Sequence, residues 1–187
     1  MIKRTKNYIR SQLLKRLKKQ KEVEQLKRSF KIQNKLFSLP EFIKAKMILF
    51  YLSFGGEVET FRMIQKTMSL GKKVALPVIN SRNKRLIPSL ISDCGYNLEL
   101  GPYGIRQPKK KHMRNVALDK IDLIIVPGVA FDLHGNRIGR GLGYYDRFLH
   151  SLPKEIPSIG LAFDFQVLGR IPSLESHDFP VDKVLHA

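Results

Sequence analysis

Met47-Ile-Leu-Phe-Tyr-Leu52 opens the stretch that decides the fold, and Val74-Ala-Leu-Pro77-Val-Ile79 closes it. Both are continuous apolar runs of strand length, the pattern of strands covered on both faces. Between them Ser53-Phe-Gly-Gly56 reads as a turn and Glu57-Val-Glu-Thr60 opens a helix. That helix turns Phe61, Ile64 and Met68 inward and stops at Gly71. Strand, helix, strand is a βαβ unit, which implies a parallel sheet. Asp119 to Val126 supplies a third core strand and Ser158 to Phe163 another, with Val129-Ala-Phe131 as a short extended piece between them. Arg85 to Ile91 contains Pro88 and reads as an edge strand. The last residues of the tail read as a second edge strand, and Gly95 to Pro108 as a loop.

Upstream, residues 3–36 read as one or two helices. Ile9, Leu13, Leu14 and Leu17 recur at helical spacing, followed more loosely by Val23, Leu26, Phe30 and Ile32 to Phe37. The other face is basic, with Lys3, Lys6, Arg10, Lys18 and Lys21. Lys6 and Arg10 stand four apart and project together. That pair is either a solvated face or reaches an anion site elsewhere. Ser38-Leu39-Pro40-Glu41 reads as the start of a short helix, with Ser38 as its cap.

Composition narrows the class. A chain of 187 residues fits one domain spanning 1–187, with 43% apolar and 27% charged residues. No apolar run approaches the ~18 residues that span a bilayer, and no membrane partner is expected. One cysteine, Cys94, excludes an intrachain disulfide and a cysteine metal cluster. A cytoplasmic protein follows. The charge is unusual: 34 basic residues against 16 acidic ones, net +18. Residues 1–50 hold 15 Lys or Arg and 3 Glu. Such a field attracts polyanions of any kind.

Pro127 to Asp146 carries the chemistry. Four of the 13 glycines lie between Gly135 and Gly143, with Arg137 and Arg140 among them, and Tyr144, Tyr145 and Asp146 close the run before a helix, Tyr144 to Ser151. Glycines admit a phosphate to the backbone, arginines supply forked donors, and a helix start adds its dipole. The order Gly139-x-Gly141-x-Gly143 fits neither a P-loop nor a dinucleotide fingerprint. Asp146 suits Mg2+ on a polyphosphate, or equally the first turn of its helix. Asp178 and Asp182 are candidate second carboxylates, and Asp182 fits a surface position beside Lys183 better. Asp132 and Gly135 fit a tight turn. Asp164-Phe-Gln166 lies at a strand end, where open α/β sheets place ligands. Tyr103 either plugs a loop into the core or stacks on a flat ligand. Lys109 to Arg114 reads as a solvated loop, with no role for His112. From the residues, the reading reaches a soluble α/β protein that binds a magnesium nucleotide.

The run Asp132-Leu-His-Gly-Asn-Arg137-Ile-Gly-Arg-Gly-Leu-Gly-Tyr-Tyr-Asp146-Arg-Phe-Leu149 resembles the signature of the 5-formyltetrahydrofolate cyclo-ligase, or methenyltetrahydrofolate synthetase, family. The resemblance covers nearly the whole chain. It takes in Lys6-x-x-x-Arg10, Tyr51-Leu-Ser, Glu57-Val-Glu-Thr60, Pro102-Tyr-Gly-Ile105 with Pro108, Pro127-Gly-Val-Ala-Phe-Asp132 and His177-Asp-x-Pro-Val-Asp182. It implies an α/β class fold, a three-layer α/β/α sandwich on a mainly parallel open sheet with a basic helical N-terminus. It implies ATP- and Mg2+-dependent closure of 5-formyltetrahydrofolate to 5,10-methenyltetrahydrofolate. Lys6 and Arg10 would hold phosphates. Arg137, Ile138, Gly139, Arg140, Gly141, Leu142, Gly143, Tyr144 and Tyr145 would form the nucleotide loop. Arg140 and Tyr144 would act in catalysis and also face the folate, with Leu52, Glu57 and Tyr103. Asp146 and Asp178 would bind Mg2+. Leu142 and Gln107 depart from the family's usual residues. A monomer, acting on folates with or without a polyglutamate tail, is expected. A nucleic-acid-binding protein is the rival from another class, argued from the charge, and it lacks a recognised RNA-binding motif. A sugar-phosphate isomerase is the second rival and would need a catalytic carboxylate and lysine that the sequence does not place.

Overall fold

The computed structural model describes residues 5–93, 95, 97–153 and 155–187. Its elements run α1 (Lys6–Lys18), α2 (Glu22–Phe37), α3 (Pro40–Lys44), β1 (Met47–Leu49), α4 (Phe61–Ser69), β2 (Lys73–Asn80) and β3 (Arg85–Ile91). There follow β4 (Leu98–Leu100), β5 (Arg106–Pro108), β6 (Leu123–Val126), β7 (Ala130–Asp132), β8 (Arg137–Ile138), α5 (Tyr144–His150), β9 (Ser158–Ala162), β10 (Val167–Leu168) and β11 (Lys183–His186). The central sheet has the order β11-β9-β6-β1-β2-β3. Its pairs are parallel except β2 with β3. Two small sheets, β10-β7-β8 and β4-β5, complete the fold.

Strand alternation sorts the core into two layers. Ile48, Val74, Leu76, Leu123, Ile125, Ile159 and Leu161 face one way, against Leu17 of α1, Ile32 and Leu36 of α2, Phe42 of α3 and Ile64 of α4. Their neighbours Leu49, Ala75, Ile124, Val126 and Ala162 face the other way, against Phe131 and against Phe148 and Leu149 of α5. The result is a mixed α/β fold with a mostly parallel sheet between helical layers. Each large side chain buried here contributes roughly 1.5–3 kcal/mol before entropy. The second layer packs tightly because β9 carries a glycine: a Cβ at Gly160 would lie 2.4 Å from the Phe131 ring.

Several local expectations change. The N-terminal stretch is two helices, broken at residues 19–21. The inward stripe of α2 is Ser29, Ile32 and Leu36, whereas Val23 and Phe30 are 74% and 59% exposed. Ser29 displaces them because its hydroxyl accepts the Glu59 N–H. Ser38 closes α2 and gives its hydroxyl to the Lys35 carbonyl. The next helix starts at Pro40 with no side-chain cap. The Met47 run is in the ladder only to Leu49, and the Asp119 run only from Leu123. Residues 118–120 form a 3-10 turn instead. Helix α4 begins at Phe61, with the Glu59 carboxylate accepting the Phe61 N–H, and adds Met63 and Thr67 to its buried face. The Gly95–Pro108 loop contains the β4-β5 hairpin. Cys94 and Lys3 lie outside the described residues. Gly71 at the end of α4, the edge position of β3 and the terminal edge strand β11 follow the sequence reading. Among the described residues, no helix is long and apolar enough to cross a membrane.

Candidate active site

The chain leaves β1 toward β2 on one side and builds β6, β9 and β11 on the other. Parallel sheets open a crevice at such a reversal, beyond the strand carboxyl ends. Here it is a cleft of about 540 Å³, walled by residues after β1 (Tyr51, Leu52) and after β6 (Pro127, Gly128). Every residue that the family resemblance nominated lines it: Lys6, Arg10, Leu52, Glu57, Tyr103, Asp178 and the whole of Arg137 to Asp146.

The glycine loop is bent by its own residues. Gly141 and Gly143 take φ of +99° and +62°, a region that side-chain-bearing residues rarely adopt. Gly143 precedes α5 with no side-chain cap. Two arginines tie the loop at its carbonyls: Arg10 Nε donates to Gly139 at 2.8 Å and Arg147 Nη2 to Leu142 at 2.8 Å. Arg137 is almost fully buried, its side chain 3% exposed, and its Nη2 donates to Asp146 Oδ1 at 2.8 Å. Burial pulls the Arg137 guanidinium below its ordinary range, and the charge of Asp146 opposes that. Arg137 Nε and the Tyr145 hydroxyl are buried without a hydrogen-bond partner among the described residues. Burial also pushes the Tyr145 hydroxyl well above its usual value.

Helix α1 forms the opposite wall. Lys6 Nζ donates to Asp178, so the i, i+4 pair does reach the tail and the glycine loop. Burial disfavours the charged Asp178 carboxylate. The bonds from Lys6 and the Glu175 N–H outweigh this and hold it below the usual range. The far end of α1 is clamped on the turn after β1. A Cβ at Gly56 would lie 2.1 Å from the Leu17 carbonyl oxygen, and Gln20 Nε2 donates to the Gly56 carbonyl at 3.0 Å. Gln25 Nε2 donates to the Glu57 carbonyl at 2.6 Å. These bonds fix Glu57, whose buried Oε1 accepts Arg140 Nη2 and Nε at 2.7 and 3.0 Å. Burial raises the Glu57 carboxyl, and the Arg140 charge works against that rise. Arg140 also lies over the Phe54 ring at 3.8 Å, a cation–π contact.

Tyr103 does not plug the core. It takes φ +62° and is 57% exposed at the rim, edge-on to Tyr144 with ring centroids 6.2 Å apart. Burial, then the neighbouring Tyr103, raises the Tyr144 hydroxyl above its usual value.

Other nominated carboxylates serve structure. The Asp132–Gly135 turn is present, and Asp132 accepts N–H bonds from His134, Asn136 and Ile171. Asp182 accepts the Ser158 N–H and hydroxyl, both at 2.7 Å, and is absent from the cleft wall. Asp164 is also outside the cleft, paired with His186 at the C-terminal edge. Gln166 is buried and gives its amide to the carbonyls of Gly128 and Val129. Lys111, His112 and Arg114 border a separate groove of about 340 Å³. Sequence reasoning missed Asn7, Phe54, Ile79, Arg106, Glu175 and His177 in the cleft wall. Phe54 and His177 had a signal, since Phe54 flanks one quoted motif and His177 opens another. Arg106 had none.

The donor set suits a phosphate chain with its metal. Five cations, Lys6, Arg10, Arg106, Arg137 and Arg140, share the cleft with the glycine loop. Asp146 and Asp178 stand on one wall: the Phe179 N–H, next to Asp178, reaches Asp146 at 3.3 Å. One or two carboxylates beside substrate oxygens are what Mg2+ takes.

A cation-rich cleft at the switch point of an open parallel sheet defines an α/β protein of small-molecule-binding type. The chain belongs to the 5-formyltetrahydrofolate cyclo-ligase family, whose model matches residues 2–187. It is 33% identical to a probable 5-formyltetrahydrofolate cyclo-ligase of Caenorhabditis elegans, covering 99% of this chain and 94% of that protein. It is likewise 33% identical to the 5-formyltetrahydrofolate cyclo-ligase of Mus musculus, over 97% of this chain and 93% of that one. The solved 5,10-methenyltetrahydrofolate synthetase of Aquifex aeolicus superposes with a TM-score of 0.83 at 32% identity, covering 97% of this chain and 89% of that one. The Mycoplasma pneumoniae synthetase, at 24% identity and a TM-score of 0.74, shares the fold over 96% of this chain and 97% of that one.

Proposed function

We propose that this protein closes 5-formyltetrahydrofolate to 5,10-methenyltetrahydrofolate with ATP, in the presence of Mg2+, releasing ADP and phosphate. The observation that carries the reading is one cleft, in a chain of this family, that joins Lys6, Arg10, Arg137 and Arg140 to the glycine loop and to Asp146 and Asp178. The formyl oxygen is a poor leaving group. It attacks the γ-phosphorus, ADP departs, and the oxygen leaves later as phosphate. N10 attacks the activated formyl carbon and loses its proton to the medium, and the five-membered ring closes as the C–O bond to phosphate breaks. Positioning and charge neutralisation do the work, and no covalent enzyme intermediate is required.

Lys6, Arg10, Arg137 and Gly139 to Gly143 hold the phosphates in this reading. Mg2+, held by Asp146 and Asp178, would neutralise phosphate charge. Arg140 and Tyr144 stand where nucleotide and folate meet, Arg140 as a cation and Tyr144 as a neutral donor, its hydroxyl raised by burial. Glu57, Leu52 and Tyr103 face the folate, and the paired Glu57 and Arg140 offer an acceptor and a donor side by side. The surplus of positive charge suits folates with glutamate tails. The reading takes the enzyme as a monomeric, cytoplasmic single domain and assigns it no nucleic-acid or membrane partner. The test is the absorbance of methenyltetrahydrofolate formed from 5-formyltetrahydrofolate with and without Mg-ATP. A folded protein giving no ATP-dependent signal would overturn it.

A further inference from the structure

The cations and carboxylates assigned to phosphate and metal are bound to one another. Lys6 holds Asp178 and Arg137 holds Asp146. Both pairs are largely withdrawn from water. We propose that Asp146 and Asp178 are specificity residues that make the cleft reject polyphosphates lacking a divalent cation, by occupying Arg137 and Lys6 until a metal takes the carboxylates over. This rests on the reading of the cleft as a magnesium-nucleotide site.

A metal-free triphosphate must draw Lys6 and Arg137 away from their partners. Two carboxylates then stand unpaired beside a polyanion in a site of low polarisability, which is strongly unfavourable. A triphosphate that arrives with Mg2+ exchanges partners instead. Each carboxylate trades one cation for another, and each freed side chain meets a phosphate oxygen. The tail makes the exchange concerted. Asp178 accepts the Glu175 N–H and Asp146 the Phe179 N–H, so residues 175–179 link both carboxylates. A chain with a net charge of +18 otherwise offers metal-free polyanions no discrimination.

Calorimetric titration of ATP into the intact protein, in EDTA and in excess Mg2+, tests this with wild type, Asp178→Asn and Asp146→Asn. Wild type is expected to bind Mg-ATP at least about tenfold more tightly than metal-free ATP. Each variant should bind metal-free ATP on the order of tenfold better than wild type, with the benefit of Mg2+ reduced. Inorganic triphosphate in EDTA should gain by the same factor. If both variants leave metal-free affinity unchanged or lower while Mg-ATP affinity falls, the carboxylates are metal ligands only and the proposal fails. If Asp146→Asn does not fold, Asp178→Asn decides alone, because its partner Lys6 lies on the first turn of α1. Wild type that binds no ATP even with Mg2+ removes the nucleotide reading itself.

Discussion

Asp132 and Asp146 flank the same glycine-rich segment, and the fold treats them oppositely. Asp132 is fully buried and its oxygens are used up by its own turn and by Ile171. Burial opposes its charge, yet those donors hold its carboxyl below the usual range. Asp146 keeps contact with the cleft and is matched by one side-chain cation and one distant N–H. Backbone donors cannot leave, so Asp132 is locked. A guanidinium can turn to another anion, so Asp146 is exchangeable. A structural carboxylate and a site carboxylate therefore differ in the mobility of their partners more than in burial or charge.

Breaking Asp132 should give the largest effect and should appear in stability. Asp132→Ala strands several buried or half-buried N–H groups and should cost about 3–4 kcal/mol. Urea unfolding reads this, and kcat/KM of the remaining folded protein should stay within about threefold of wild type, since no residue of the cleft is removed. Asp146→Asn should do the reverse. It should lower ATP-dependent cyclisation by about 100-fold, equivalent to ~2.7 kcal/mol. Its unfolding cost should be smaller, about 1–2 kcal/mol, because the amide oxygen still accepts from Arg137. Equal stability losses in the two variants would erase the distinction.

The pH dependence sharpens the same contrast. The folded-state pKa of Asp132 lies below the unfolded one. Its stabilisation is therefore present above the unfolded value of about 3.9 and is lost as pH falls through the folded value. The stability gap between wild type and Asp132→Asn should accordingly be constant from about pH 5 upward and shrink below about pH 4. A gap that persists undiminished at pH 2 would mean that the charge contributes nothing.

Much of this is legible in the sequence. The two apolar runs around Gly55-Gly56 gave the parallel pair β1-β2. The i, i+4 spacing of Lys6 and Arg10 put both on the side that meets Asp178 and Gly139. What stayed hidden depended on partners remote in sequence. Ser29 owes its burial to the Glu59 N–H, which no helical periodicity records. Tyr51 and Leu52 look like strand but lie past the end of β1, where they wall the cleft. Asp164 follows a strand and Asp146 opens a helix, and only the three-dimensional path sends one to His186 and the other to Arg137. Arg106 enters the cleft from the β4-β5 hairpin, just past the Pro102-Tyr-Gly-Ile105 segment, where no spacing marks it as a cleft residue.

Arg140, within the glycine loop, and Arg10, which tethers it, give the remaining tests. Arg140 is locked like Asp132 on one side, since Glu57 Oε1 takes both Nε and Nη2, yet it lines the cleft like Asp146. Arg140→Ala should lower kcat by about 30-fold, equivalent to ~2 kcal/mol, with the fold retained. Unchanged turnover would assign Arg140 to structure with Asp132. Arg10 is the weakest member, because its guanidinium gives Nε to a loop carbonyl and Nη1 to Asn7, with no carboxylate to exchange. Arg10→Ala should therefore raise the KM for ATP about fivefold, ~1 kcal/mol, and leave kcat unaltered, the pattern of uniform binding lost. A fall in kcat at constant KM would instead make Arg10 a positioning residue for the glycine loop, acting through Gly139. Exchangeable partners would then not be what separates a cleft residue from a structural one.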